Sequence, residues 1–267
     1  YQFRKDVQSG KLPKVSWLVA PKQFSDHPSA PWYGAWYLAE SINILTQNPE
    51  VWKKTIFILT YDENDGYFDH VPPFVSPDPS RPETGCVSAG IDARGEYWPL
   101  EMDRKRTDSD DARGGPIGLG FRVPMVVASP WSRGGYVCSQ VFDHTSVVQL
   151  LERVCKVKEP NISPWRRAVC GDMSAAFRPF RNSAEAKLPY PERDEFLGGI
   201  HQAQFRPMPS GWKDATMPRQ EPGVRPSLAL PYELSAEGEV KGGALRLRMA
   251  AGTKRFGPRS AGCGFHV

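Results

Sequence analysis

Two adjacent carboxylates, Asp62 and Glu63, stand inside Tyr61-Asp62-Glu63-Asn64-Asp65-Gly66, directly after the apolar run 55–60 (TIFILT). Side chains alternate along a strand, so neighbouring residues can share one ligand only where the strand ends and the chain bends. In open α/β sheets, ligands bind beyond the carboxyl ends of strands. Hard oxygen donors at such a point suit Mg, Ca or Mn, and an added imidazole would admit Zn or Fe. The same residues also read as a solvated turn, because Asn64-Asp65-Gly66 is turn chemistry in its own right. An EF-hand loop does not fit: the glycine comes one position early, and the twelfth position, Pro73, offers no carboxylate.

The histidines decide between those readings. His27 lies in Ser25-Asp26-His27-Pro28, just past the apolar run 15–20 (VSWLVA). If runs 15–20 and 55–60 are neighbouring strands, His27 and Asp62 meet at one sheet edge. An imidazole there can protonate a leaving alkoxide or steady a transferring phosphoryl group; its plainer role is to cap the helix that follows. Asp26, Asn64, Asp65 and His70 are candidates to hold the ligands from behind, although His70 also sits where it can simply pin the turn Val71-Pro72-Pro73. His144, in Asp143-His144-Thr145-Ser146, is accounted for by helix N-capping. His201 and His266 are assigned no role.

Positioning these groups requires a sheet. Runs 15–20 and 55–60 both predict buried strands, and residues 32–47 between them predict a helix that Asn48-Pro49 stops. The unit is strand, helix, strand, a right-handed crossover in a largely parallel sheet. A third strand is expected over 123–128. A helix follows, with Ser146 and Gln149 at capping-box spacing and Val147, Leu150, Leu151 and Val154 on its apolar face. The intervening stretch 65–121 is rich in Pro, Gly, Asp and Arg, and loops of that length usually carry function. Past residue 197 prolines punctuate a polar linker, and the alternation in 227–249 predicts antiparallel strands.

With 267 residues, 40% hydrophobic and 24% charged, the chain can bury a sizeable core. The net charge of +4 is spread without a dense basic stripe, which argues against a nucleic-acid partner. There is no apolar run of membrane-spanning length, and the opening residues 1–14 show neither the charged nor the apolar region of a signal peptide, as expected of an internal cut or a processed end. GxSxG and GxxxxGK[ST] are both absent. The five cysteines lack CxxC spacing, and Cys155 with Cys170 could bridge the 14 residues between them in an oxidising compartment. Trp32, Tyr33, Trp36 and Tyr37 have core spacing, with a quaternary-ammonium cage as the sharper alternative.

Three segments, residues 17–31 (WLVAPKQFSDHPSAP), 58–73 (ILTYDENDGYFDHVPP) and 118–152 (GLGFRVPMVVASPWSRGGYVCSQVFDHTSVVQLLE), resemble the bacterial phosphoesterase family that contains phosphocholine-specific phospholipase C and an acid phosphatase. Residues 222–267 resemble the opening of the β-rich C-terminal region of the phospholipase C branch. The resemblance implies an α/β, alkaline-phosphatase-like fold: a mostly parallel sheet with helices on both faces, followed by the start of that β-rich region. It divides the chain into 1–197, the C-terminal half of the catalytic domain, a linker 198–222, and an incomplete domain 223–267.

Asp62 and Glu63 fall where the family places metal-binding acids, and His27 falls on an active-site histidine. The implied cofactor is a divalent metal ion. The implied reaction is hydrolysis of phosphatidylcholine to diacylglycerol and phosphocholine, by a monomer in transient contact with a membrane surface, secreted or periplasmic. A broad-specificity acid phosphatase and a non-catalytic remnant that binds metal or choline lipid are the alternatives. The family's other metal pair and its hydroxyl nucleophile have no counterpart here, so the expectation is an incomplete copy, inactive in isolation.

Overall fold

The computed structural model describes residues 2–25, 27, 30–64, 66–67, 69, 71–85, 87–88, 90–107, 111–179, 192–207 and 234–251. In chain order its principal elements are α1 (Gln2–Gln8), α2 (Pro31–Thr46), α3 (Pro49–Trp52), β1 (Phe57–Thr60), β2 (Tyr97–Trp98), α4 (Leu100–Thr107), β3 (Gly115–Pro116), β4 (Met125–Ala128), α5 (His144–Cys155), α6 (Pro164–Val169), α7 (Arg193–Ala203), β5 (Leu234–Lys241) and β6 (Ala244–Ala251). Helices and strands interleave, as an α/β class requires. Among the described residues the strands pair as three two-stranded sheets: β1 with β4, β2 with β3 and β5 with β6, the last two antiparallel. The chain divides into two compact units, residues 1–58, 127–133 and 179–224 in the first, and 59–126, 134–178 and 225–267 in the second.

In the first unit, α2 opens with Pro31 at its first turn, where the missing N–H costs nothing. It ends because Asn48 precedes Pro49 and takes an extended conformation that a helix cannot continue. The Asn48 side chain then caps α3 and donates from Nδ2 to the carbonyl of Val7 at 2.7 Å. Val7, Ile44 and Leu45 form the buried centre, with Phe3, Leu12, Val51, Trp52 and Phe57 packed around it. Burying one such aliphatic side chain stabilises the unit by about 1.5–3 kcal/mol.

The expected strand over 15–20 does not form. Val15 lies in a bend and residues 16–20 have no regular structure, the segment joins no ladder among the described residues, and Trp17 and Val19 are 68% and 82% exposed. A strand is held by a neighbour's hydrogen bonds and a covered face, not by β-branched composition alone; β1 has β4 as its partner instead. The strand–helix–strand crossover is therefore not formed from these segments, and strand adjacency is not what relates His27 to Asp62.

In the second unit, α5 takes its capping box from Asp143 and Ser146 rather than from Ser146 and Gln149. Asp143 is the N-cap and Ser146 the third helical residue, joined by a capping box in which each side chain bonds the other's backbone N–H. Val147 and Leu150 are buried as the periodicity predicts, whereas Val154 is exposed. The long stretch 65–121 is partly ordered around Glu96, a buried carboxylate. Ser76 Oγ donates to its backbone carbonyl at 2.7 Å, and Ser163 Oγ to its Oε1 at 2.5 Å. Cys155 and Cys170 are free thiols, so the considered bridge is absent. The strands expected within 227–249 are the hairpin β5–β6, whose two-residue turn is Gly242-Gly243, both at positive φ as its geometry demands. The expected start of the linker at residue 198 falls inside α7.

Candidate active site

The acidic turn is built on the end of β1. Tyr61 extends the pairing one residue beyond the strand, its N–H donating to the Pro124 carbonyl at 3.3 Å. Its own carbonyl accepts from His144 Nε2 at 2.9 Å. Because the carbonyl can only accept, that bond requires the proton on Nε2. Beyond Tyr61 the chain bends. The Glu63 N–H turns back to Asp62 Oδ1 at 3.2 Å, and Asn64 closes the loop twice, its carbonyl accepting the Tyr67 N–H at 3.0 Å and its Nδ2 donating to the Tyr67 carbonyl at 2.8 Å. Gly66 supplies the positive φ, +72°, that such a tight return needs.

The far end of the turn is tied as well. Asp69 accepts two bonds from the Arg122 guanidinium, Nε to Oδ2 and Nη2 to Oδ1, both at 2.8 Å, and a third from the Arg122 N–H at 3.0 Å. The guanidinium holds the Asp69 carboxyl well below the usual carboxylate range. The stretch 61–69 is thus clamped at both ends, with the exposed side chains of Asp62 and Glu63 between the clamps.

Behind His144 stands a buried charge network. Arg166 donates Nη1 to Asp143 Oδ2 at 2.6 Å, Nη2 to Glu96 Oε2 at 2.7 Å, Nε to Glu96 Oε1 at 2.9 Å, and Nη2 to the Gly118 carbonyl at 2.9 Å. Burial opposes the charge on Arg166, yet the bonds to Glu96 and Asp143 outweigh it and raise the guanidinium pKa. The network fixes Asp143, and the capping box fixes the start of α5 relative to Asp143, so His144 projects from a rigid mount.

Of the residues singled out in the sequence, Asp62, Glu63 and Asn64 lie together on this turn. His27 lies on the connection between residues 21 and 30 of the first unit, exposed. Asp26, Asp65 and His70 are outside the described residues. The backbone bonds make the turn, and they leave the Asp62 and Glu63 carboxylates exposed.

No group of three or more His, Cys, Asp or Glu residues that could enclose a metal occurs among the described residues. The donor set here is two hard oxygens on an open bend. That fits a divalent cation of the Mg or Mn kind, which one or two protein carboxylates hold while water and substrate phosphate complete the shell. Three members of the aromatic run meet Phe24, with ring centroids 6.2 Å (Tyr33), 5.4 Å (Trp36) and 6.4 Å (Tyr37) away, while Trp32 is exposed.

Sequence reasoning passed over His144 and Arg122. One signal was available for the first, since the tripeptide Phe-Asp-His occurs twice, at 68–70 and 142–144. Nothing local marks Arg122, whose partner is 53 residues away.

A model of the phosphoesterase family matches residues 1–158. The chain is 46% identical over 244 residues to the non-hemolytic phospholipase C of Pseudomonas aeruginosa, a match covering 90% of this chain and 34% of the relative. The non-hemolytic phospholipase C of Burkholderia pseudomallei is 42% identical over 249 residues, covering 89% and 33%. The hemolytic phospholipase C of P. aeruginosa is 42% identical over 264 residues, covering 94% and 33%. The chain spans about a third of the length of these relatives. No described helix is long and apolar enough to cross a membrane.

Proposed function

Because this chain belongs to the phosphoesterase family, we propose that it forms the acidic strand-end half of a phospholipase C site that hydrolyses phosphatidylcholine to diacylglycerol and phosphocholine. The observation that carries this reading is the extended identity to phospholipases C, 42–46% across roughly nine-tenths of the chain. We propose in addition that the β1–β4 ladder is part of a mostly parallel, alkaline-phosphatase-like sheet. We further propose that the protein acts in the periplasm or the medium, as a monomer that meets lipid surfaces transiently.

In phosphodiester hydrolysis, negative charge grows on the phosphoryl oxygens and the departing alkoxide needs a proton. Asp62 and Glu63 are the residues that would hold a divalent cation. Such an ion, when bound, supplies Lewis-acid stabilisation of that charge and activates a hydroxyl. The clamped backbone of 61–69 keeps both carboxylates from reorganising as charge develops. His27 is assigned the proton at the leaving oxygen, because it falls where the resemblance places an active-site histidine. No residue of this chain is assigned the nucleophile's role.

The test is hydrolysis of p-nitrophenylphosphorylcholine against p-nitrophenyl phosphate, with and without divalent metal. Any turnover by the chain is expected to need metal, to favour the diester, and to fall at least about 100-fold in Asp62→Ala, the scale of losing one electrostatic stabiliser. Preference for the monoester would select the phosphatase alternative. Cation binding without turnover is the result expected of the acidic half on its own, and absence of cation binding would contradict the reading.

A further inference from the structure

We infer that His144 is a positioning residue for the Asp62–Glu63 pair, acting through the Tyr61 carbonyl; the inference rests on reading those carboxylates as cation ligands. The bond spans 83 positions of sequence and ends on the last peptide before the acids. A peptide unit is planar and includes the α-carbon of the following residue. A donor fixed on the Tyr61 oxygen therefore sets where the Asp62 α-carbon lies and the direction from which its side chain departs. The Tyr61 N–H is held on the other side by the Pro124 carbonyl at 3.3 Å, so both peptide planes flanking Tyr61 are restrained.

The mount for His144 is more elaborate than N-capping needs. Capping is complete with Asp143 and Ser146, and Thr145 Oγ1 adds a bond to Asp143 Oδ1 at 2.6 Å. The imidazole takes no part in it. Partly buried Arg166 instead ties Asp143 to Glu96 and to the Gly118 carbonyl, which anchors the base of His144 independently of the helix. The chain of contacts runs Arg166, Asp143, His144, Tyr61 carbonyl, Asp62. Ligand-orienting partners of this kind typically change metal affinity about 10–100-fold when removed.

The experiment uses the whole chain with His144→Ala and His144→Gln, the glutamine amide placing an N–H where Nε2 stood. Two readouts are taken: hydrogen exchange of amides 61–64 without metal, and the Mn²⁺ dissociation constant. His144→Ala is expected to speed exchange at 61–64 about three- to tenfold, the scale of one net hydrogen bond, while α5 amides keep their protection. It should weaken Mn²⁺ about tenfold or more, and His144→Gln should restore both to within about twofold.

Unchanged exchange at 61–64 in His144→Ala overturns the inference. So does failure of a folded His144→Gln to restore it, because the imidazole would then be needed for something other than its N–H. A wild-type chain that takes up no Mn²⁺ overturns the ligand role of the acids, whereas Mn²⁺ affinity indifferent to His144 overturns the positioning role alone.

Discussion

Arg122 and Asp69, 53 residues apart, face each other fork to fork with two 2.8 Å bonds, and this pair closes the segment between β1 and β4 onto itself. Asp69 is nearly covered while Arg122 is largely exposed, so the carboxylate is the member whose state depends on folding. Its pKa lies below the ordinary value chiefly because of the bond from the Arg122 side chain, which burial opposes and the backbone N–H groups of Val71 and Arg122 assist. A depressed carboxyl stabilises the fold fully above the unfolded value, about 4, and loses that contribution as pH falls toward the native value. Asp69→Asn should therefore lower the thermal midpoint at pH 7, and the gap to wild type should close progressively below about pH 5. A gap independent of pH would contradict this. Glu152, pulled down to about 2 first by Arg167, should behave in the same direction.

The buried network gives a larger effect. Arg166→Met leaves Glu96 and Asp143, whose side chains are 5% and 6% exposed, without their cation. Removing one member of a buried pair costs about 3–5 kcal/mol, since the remaining charge stays desolvated. Denaturant unfolding should show that loss. A change below about 1 kcal/mol, the range of exposed pairs, would mean water reaches the network in solution.

Lys156 ends α5 in the left-handed region at φ +60°, a conformation that suits glycine. Lys156→Gly is expected to stabilise the protein by about 0.5–1 kcal/mol, because it relieves the Cβ strain of that region. A lower melting temperature for the variant would show that the lysine side chain does something this conformation does not reveal.

Much of this was legible in sequence, and the failures have physical causes. The helix expected over 32–47 and the strand expected over 55–60, observed as Pro31–Thr46 and Phe57–Thr60, followed from periodicity and proline placement, which are local signals. The run 15–20 misled because composition reports a strand's preference but not its partner. Asp62 and Glu63 stood out as adjacent acids after an apolar run. Their clamps did not, because His144 and Arg122 act across 83 and 53 residues, and Asp143 was readable as a cap without revealing that its other oxygen meets Arg166.

Cys170 is 3% exposed, and burial followed by the nearby Asp143 carboxylate pushes its thiol up to about 12. Only the thiolate is nucleophilic, so iodoacetamide at pH 8 should leave Cys170 unmodified in the native chain and label it after denaturation. Labelling of Cys170 under native conditions would indicate local opening around α6.

The central claim is that Asp62 and Glu63 together hold a divalent cation, and calorimetric titration of Mn²⁺ into the chain tests it most directly. Wild type should show saturable binding, and Asp62→Asn and Glu63→Gln should each weaken it by about tenfold or more, since each removes one hard donor and one charge. Equal affinity in all three proteins, or no binding in the wild type, would contradict the account.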